Sequence, residues 1–309
     1  MKPLTTEQIR AVIARGKTND LIFKSLGIFC LALALLVIVA LIADMVMKGS
    51  ERFTVDFFLN FASRRATEAG ILSAWVGSLL VMLVTACAAV PLGVAAGLYL
   101  EEYAKRNWLT SLIEINITNL AAVPSIVYGL LALGIFVYQF GFGQSILSAG
   151  LTLALLILPI IIVSTREAIR AIPAMIREGS MAVGATRWQT CRYHIVPYAM
   201  PGILTGVIIG LARAIGETAP IITIGALTFI AFLPPVPLTE TGQGTAGLFD
   251  WLMSPFTVMP IQIFNWTSRP DPAFEVNAAA AGFVLMAMVL SMNAVAIWLR
   301  YRLRKNIKW

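Results

Sequence analysis

Six long apolar runs constrain this chain more than any other feature of its sequence. Crossing the apolar part of a bilayer takes about 20 helical residues, and within lipid the backbone must satisfy its own hydrogen bonds. The chain has 59% hydrophobic and only 13% charged residues, whereas soluble domains carry about 25% charged residues. We therefore predict an all-α integral membrane protein with six transmembrane helices, at about 26–47, 71–100, 119–140, 145–164, 201–227 and 276–299.

Positive charge is unevenly distributed among the connecting segments. Of the 23 lysines and arginines, 17 lie in four segments that would share one side of the membrane: 1–24, 101–118, 165–196 and 300–309. The opposite loops, 48–70, 141–143 and 228–275, hold five. Because lysine and arginine accumulate in cytoplasmic loops, we predict that both termini are cytoplasmic. Residues 1–24 are then a cytoplasmic segment before a six-span domain at 25–309, and the first run is a retained anchor, not a removed signal peptide.

Several function classes have no support in the sequence. The string GKT at 16–18 lacks the glycine of a nucleotide-binding loop, since Ala11 occupies that position. The three cysteines and single histidine have no metal-binding spacing, so we expect no metal and no cofactor. No paired carboxylates or nucleophile–base set indicates an enzyme. The net charge of +7 lies mostly at span ends, which fits contact with membrane lipid and not nucleic acid.

Two charged residues lie one helical turn apart inside the fifth apolar run. A charge at mid-membrane costs roughly 3 kcal/mol on insertion scales, and Arg213 and Glu217 share one helix face. Pro220 cannot donate to the carbonyl of Gly216, which predicts a bend beside Glu217 and Thr218. This polar waist would line a translocation path. Alternatively, the two charges form an ion pair that only satisfies itself.

Other polar and small residues allow weaker predictions. Gly202, Gly206 and Gly210 form a stripe that would let another helix approach closely. Arg166, at the end of the fourth run with Glu167 and Arg170, would extend to the interface or line the inner mouth of a path. Ser125 and Tyr128 would make bonds between helices, or else line the path.

The segment 245–267 is apolar and aromatic but interrupted by Asp250, Pro255 and Pro260. Such a broken segment is a poor membrane span. We predict an interfacial, partly helical external cap, with Trp251 and Trp266 near the level of the lipid headgroups.

The loop before the fifth run matches a known signature in part. Glu178, Gly184 and Pro197 have the spacing of the cytoplasmic loop of ABC importer permeases, EAA-x3-G-x9-I-x-L-P. The chain departs from that signature at four positions: Gly179, Ser180, His194 and Val196. The strings PSIVYGL at 124–130, ARAIGETAP at 212–220 and FNWTSRPDPAF at 264–274 narrow the match. Over about residues 70–305 the chain resembles phosphate-importer permeases, and the PstA branch more than its PstC partner.

The resemblance implies an ABC importer permease fold with a cytoplasmic coupling helix that lies in a groove of an ATPase subunit. Glu178 would begin this helix, as suits a helix N-terminus. Gly184 would allow a tight bend, and Pro197 would set the start of the next span. Arg187, Trp188 and Arg192 would offer an aromatic and arginine-rich contact surface. The alternative from the residues alone is a solvated basic loop.

The resemblance further implies a permease subunit of an ATP-driven inorganic phosphate importer in the bacterial inner membrane, forming half of the pathway. Its partners would be a second, PstC-like permease, two ATPase subunits and an external phosphate-binding protein. Arg213 would meet the phosphate, and Glu217 would hold Arg213 when the path is empty. The alternatives are a permease for another oxyanion, such as phosphonate, molybdate or sulfate, and a standalone ion-coupled transporter or channel.

Overall fold

The computed structural model describes residues 6–105, 107–237, 240–241, 244–245 and 247–305. Within these residues the chain is almost wholly helical, which confirms the all-α class. Five helices are long and apolar enough to cross a membrane, or six if one bent pair counts as a single span. The outer ends of the predicted segments 1–24 and 300–309, at residues 1–5 and 306–309, lie outside the described residues.

The long helices are α1 (Thr6–Gly49), α3 (Leu72–Leu98), α6 (Ile146–Arg170), α9 (Val196–Ile215) and α12 (Ala273–Lys305). The shorter helices are α2 (Val55–Leu59), α4 (Trp108–Leu120), α5 (Ser125–Ala132), α7 (Ala174–Ala182), α8 (Arg187–Thr190), α10 (Ala219–Ile224) and α11 (Met259–Thr267). Three π-helical turns follow α3, α5 and α8, at Tyr99–Tyr103, Leu133–Gln139 and Cys191–Ile195. Two 3₁₀ turns lie at Ser50–Arg52 and Asp250–Met253, and the two-residue strands β1 (Glu240–Thr241) and β2 (Gly244–Thr245) pair antiparallel.

Helices α3, α6 and α9 form the centre of the fold, and small residues set their separation. A Cβ on Gly206 would overlap the side chain of Ser164 on α6, and one on Gly202 would crowd that of Ala168. At Gly210 the nearest atom, on Ile157, would be 3.5 Å away, which is an ordinary contact. The predicted close approach is therefore present, and it is tightest at Gly202 and Gly206.

Helix α1 stands apart from this centre. In its most apolar 18-residue window, none of the residues is buried. Its contacts with α12 lie near its end, where Gly49 meets Ala280 and Met45 meets Gly282. An apolar helix so exposed must be covered by lipid or by another protein chain.

The fifth predicted span, at 201–227, is wrong at both ends. The continuous helical run extends from Arg187 to Ile215. It begins early because Thr186 and Gln189 form a reciprocal capping box. The π turn at Cys191–Ile195 precedes Pro197, so the run continues through a residue that lacks an N–H group. Pro197 therefore lies in the first turn of α9, as predicted, although the longer helical run already begins at Arg187.

Three other predicted spans differ in their bounds. The first helix already begins at Thr6 and continues from the polar segment into the apolar run. The predicted third span breaks between α4 and α5, whose axes differ by 107°. The fourth continues past Ser164 to Arg170, because carboxylates from other helices neutralise its charged end.

The segment between α10 and α12 is not a surface cap throughout. Trp266 on α11 is fully buried, with ring centroids 6.1 Å from Phe57 and 6.4 Å from Phe274. Side chains of α2 and α12 therefore enclose Trp266, which is not exposed to lipid, and its depth relative to the headgroups stays a prediction. Trp251 is partly buried and packs against the α3–α6–α9 core.

Candidate functional site

A break in the chain follows α9, where the sequence predicts a bend. The helix ends at Ile215, Gly216 caps it, and α10 begins at Ala219 with Pro220 in its first turn. Proline fits the first turn of a helix because its missing N–H would have no helical partner there. The peptides of Gly216, Glu217 and Thr218 thus connect two helices within one apolar stretch.

The charged pair lies at this break. Arg213 Nε is 3.4 Å from Glu217 Oε1, and their side chains are 40% and 19% exposed. Because Glu217 follows the helix end, the two residues do not share a continuous helix face as predicted. The remaining N–H groups of Arg213 have no hydrogen-bond partner in the described part of the chain. The guanidinium is therefore held by one long contact and stays open on one side.

The short helix α5 lies against α10. A Cβ on Gly129 would overlap Thr223 and crowd Pro220, so these two helices touch through their backbones. Tyr128, next to Gly129, is buried, and its hydroxyl donates to the carbonyl of Leu120 at 2.8 Å. This bond joins the end of α4 to α5 across the 107° bend, as predicted for a residue that links helices.

Two further predicted pathway residues lie at the starts of these short helices. Thr218 immediately precedes α10 and is partly exposed, beside Glu217 in the chain. Ser125 is the first residue of α5 and is also partly exposed. Thr218 therefore belongs to the break that holds Glu217, whereas nothing in the described contacts brings Ser125 to Arg213.

Arg166 belongs to a second polar cluster, not to the break. Its side chain is only 8% exposed, because carboxylates of other elements enclose it, and its position relative to the membrane interface stays a prediction. It contacts Glu114 of α4 at 2.6 Å and Glu101, in the π turn after α3, at 3.4 Å. Arg170 approaches Glu101 at 3.0 Å. Arg166, Arg170 and Glu114 border a cleft of about 350 Å³ between α4 and α6.

Sequence reasoning missed Glu101 and Glu114. The neighbouring carboxylates Glu101 and Glu102 follow α3 directly, and the C-terminal end of a helix disfavours negative charge. Two carboxylates at the C-terminal end of a helix need cationic partners, so their position in the sequence could have indicated arginines or lysines nearby. Glu114 carried no such signal, because it lies within a stretch that reads as a polar connection.

The predicted coupling segment forms a helix, a tight turn and the start of the long run. Gly184 has a φ of +94°, in the left-handed region that favours glycine. Helix α7 begins at Ala174 after Pro173, so Glu178 lies inside the helix and does not begin it. Arg187, Trp188 and Arg192 are exposed, as predicted for a contact surface.

The structure adds exposed apolar side chains to this segment that the sequence argument missed. Met175 is 79% exposed, Val183 86% and Trp188 59%. Large apolar side chains exposed among basic ones suit a contact with another protein. The coupling segment, residues 174–192, therefore presents a mixed apolar and basic face.

The fold and the site together define a multi-span membrane protein of the transport permease class. A break between α9 and α10 carries a charged pair, and residues 174–192 form an exposed helical segment. A family profile described as "Binding-protein-dependent transport system inner membrane component" matches residues 89–309. The chain belongs to that family, whose description already states its membrane location and its dependence on a binding protein.

Similar proteins extend over most of the chain. The probable ABC transporter permease protein YqgI of Bacillus subtilis (strain 168) is 29% identical over 94% of this chain and 98% of its own length. The phosphate transport system permease protein PstA 1 of Mycobacterium tuberculosis (strain CDC 1551 / Oshkosh) is 31% identical over 75% of this chain and 71% of its own length. A chain of a bacterial alginate ABC transporter has the same fold, with a TM-score of 0.62 at 13% identity over 91% of this chain and 94% of its own.

Proposed function

We propose that the chain is a transmembrane permease subunit of an ATP-driven inorganic phosphate importer and forms half of its translocation pathway. The observation that carries this proposal is the Arg213 guanidinium, 40% exposed within an apolar stretch and held by one 3.4 Å contact. The phosphate cargo is supported by the PstA-type relatives, of which one is 31% identical. Residues 25–309 would form the permease domain, and both termini would be cytoplasmic.

The open side of Arg213 supports a second permease subunit. A half-exposed arginine facing lipid would be costly, so the face must meet water or protein in the membrane. Ile209, on the preceding turn of α9, and Ile222 on α10 are also exposed, at 56% and 46%. An apolar surface that surrounds a charged pair suits a pathway closed from the other side by a related, PstC-like permease.

The open guanidinium also suits an oxyanion. Its planar fork donates two parallel hydrogen bonds to a phosphate, and such charge-assisted bonds are about twice as strong as neutral ones. Glu217 would occupy the fork in the empty state and release it to the anion. As a carboxylate it would also accept a hydrogen bond from the protonated oxygen of monohydrogen phosphate, a donor that fully ionised sulfate lacks.

The coupling segment would bind one of two ATPase subunits. Its exposed Met175, Val183 and Trp188 provide apolar contacts, and Arg187 and Arg192 provide charge at the rim. Glu178 is exposed on the same segment and would pair with a cation of the ATPase. ATP-driven closure would move this segment, and an external phosphate-binding protein would deliver the cargo on the opposite side.

The test is transport by the reconstituted complex of this chain, its partner permease and the ATPase, in vesicles loaded with ATP and supplied with the phosphate-binding protein. We expect phosphate uptake that sulfate, molybdate and phosphonate do not compete away. Arg213→Ala should lower uptake roughly 10- to 100-fold, as expected for the loss of hydrogen bonds between charged groups. Normal uptake by an assembled Arg213→Ala complex would remove the pathway role.

Glu217→Gln tests discrimination between anions in the same vesicles. The amide has N–H groups that can donate to a fully ionised anion, whereas the carboxylate can only accept. We expect sulfate to become a competitor while the complex still assembles. If Glu217→Gln rejects sulfate as well as the unmodified chain does, the carboxylate has no part in that selectivity.

The rival functions give different results in the same assay. Competition by another oxyanion, with little uptake of phosphate, would indicate a permease for that anion. Transport by the purified chain without any ATPase subunit would indicate a standalone transporter or channel. Co-purification with an ATPase through the coupling segment is the result that favours the importer.

A further inference from the structure

Two neighbouring carboxylates point to different helices at the end of α3. Glu101 and Glu102 lie in the π turn at Tyr99–Tyr103, and their side chains are only 16% and 13% exposed. Glu101 contacts Arg166 and Arg170 of α6. Glu102 instead contacts Arg177 of α7, in the coupling segment. One short turn of backbone therefore connects the coupling segment with the helices of the core.

All three guanidinium nitrogens of Arg177 make polar contacts. Its Nη2 lies 2.7 Å and its Nε 2.8 Å from the same Glu102 oxygen. Its Nη1 and Nη2 also donate to the carbonyls of Ile172 and Ile169, at 3.0 and 2.9 Å. These carbonyls lie at and just beyond the end of α6, where cationic side chains commonly bond the last carbonyls of a helix. The guanidinium thus fastens α7 to α3 and α6 at once.

The other end of α7 is fastened to the long helical run. The hydroxyls of Ser180 and Thr190 are hydrogen-bonded at 3.0 Å and are buried. Thr190 is the last residue of α8, which continues into α9. A displacement of α7 therefore cannot be absorbed at either end without breaking a buried polar contact, which is costly when the groups lose their partners.

Contacts continue from Glu101 to the charged break. Arg166 joins Glu101 to Glu114 on α4, and the Tyr128–Leu120 bond joins α4 to α5. Helix α5 touches α10 at Gly129, and α10 follows Glu217 directly. The path is therefore contiguous from the coupling segment to the residues that would meet the substrate.

We propose that the Arg177–Glu102 pair is the mechanical link that transmits movement of the coupling segment to α3, and through Glu101 and Arg166 to α4. The inference rests on the proposed function, since it requires an ATPase that moves the segment. Both residues are positioning residues that touch neither substrate nor nucleotide. The two adjacent carboxylates have different parts in this link. Glu102 is moved by Arg177 of the coupling segment, and Glu101 moves with it and displaces Arg166 of α6.

The test measures ATP hydrolysis and phosphate uptake in parallel on reconstituted complexes. The variants are Glu102→Gln, Arg177→Gln and the double variant. Arg65→Gln is the matched control, because Arg65 pairs with Glu68 at an exposed site, with side chains 78% and 58% exposed. We expect each single variant to retain ATP hydrolysis and to lose phosphate transported per ATP hydrolysed by roughly tenfold. The double variant should be no worse than either single one, since the two residues act as one unit.

Three outcomes would overturn the link. One is an unchanged ratio of uptake to hydrolysis. Another is uptake and hydrolysis that fall together with the amount of assembled complex, including complete failure to assemble, because the pair would then only hold the fold. The last is a double variant in which phosphate transported per ATP hydrolysed falls roughly a hundredfold, because the two residues would then act independently. If the unmodified complex hydrolyses ATP without any phosphate transport, the proposed function fails instead, and the two failures are thereby distinguished.

Discussion

Arg166 and Arg213 both lie in apolar helices, and the structure holds them in opposite ways. Arg166 is 8% exposed and contacts two carboxylates from two other helices. Arg213 is 40% exposed and contacts one carboxylate, at 3.4 Å, from the break that follows its own helix. A buried charge that loses its partner is strongly destabilising, whereas an exposed pair contributes little. The Arg166 side chain is therefore enclosed by its partners, whereas the Arg213 side chain is open on one side.

The difference follows from the packing around each arginine. Arg166 faces the closed α3–α6 contact, where Gly97 lies against Thr165 and the turn after α3 brings Glu101 close. Arg213 follows the glycine stripe of α9, and its side chain stays 40% exposed. The same residue type thus has two roles, and the degree of enclosure decides which.

Replacing each arginine by alanine tests most directly whether enclosure separates the two sites. Arg166→Ala leaves Glu101 and Glu114 without their shared cation, and we expect a loss of about 3 kcal/mol of stability. Arg213→Ala, the matched control, should cost less than about 1 kcal/mol. The measurement is thermal unfolding of the purified chain in detergent. Equal shifts for the two variants would show that enclosure does not separate the two sites.

A second prediction concerns the closed side of α9. Gly206→Ala would place a Cβ on the Ser164 side chain, and overpacking of this kind costs about 2 kcal/mol. Gly210→Ala is the control, because its nearest neighbour would be 3.5 Å away. Unfolding in detergent measures both variants, and Ser164→Gly should restore the stability of Gly206→Ala. A neutral Gly206→Ala would mean that α6 and α9 are less closely packed than described.

The smallest expected effect lies at the bend between α4, which carries Glu114, and α5, which carries Tyr128. Tyr128→Phe removes the bond from its hydroxyl to the Leu120 carbonyl, which should cost about 1 kcal/mol. Tyr138→Phe is the control, because Tyr138 is 74% exposed. The same unfolding measurement applies. If the two variants unfold alike, the bond does not hold the bend.

The sequence alone was sufficient to predict the break beside Glu217. Pro220 lacks an N–H group whatever the fold, so a continuous helix would lose a backbone hydrogen bond there. It was not sufficient for the start of the long helical run. The apolar pattern begins near Pro201, whereas the helix begins at Arg187 with a capping box. Polar residues at a helix start look like a loop when apolar content is the only signal, so the helix starts at Ala174 and Arg187 were both missed.

Local chemistry therefore fixed the class of protein. Runs of about 20 apolar residues must form helices in lipid, and an in-span arginine demands either a partner or a pathway. Tertiary structure decided which arginine is enclosed by carboxylates of other elements and which stays open on one side. Glu101 and Arg166 are 65 residues apart in the chain, and Trp266 is enclosed by Phe57 from a different helix. Burial depends on such distant neighbours, whereas the hydrogen-bonding needs of a backbone in lipid depend only on the residues that carry it.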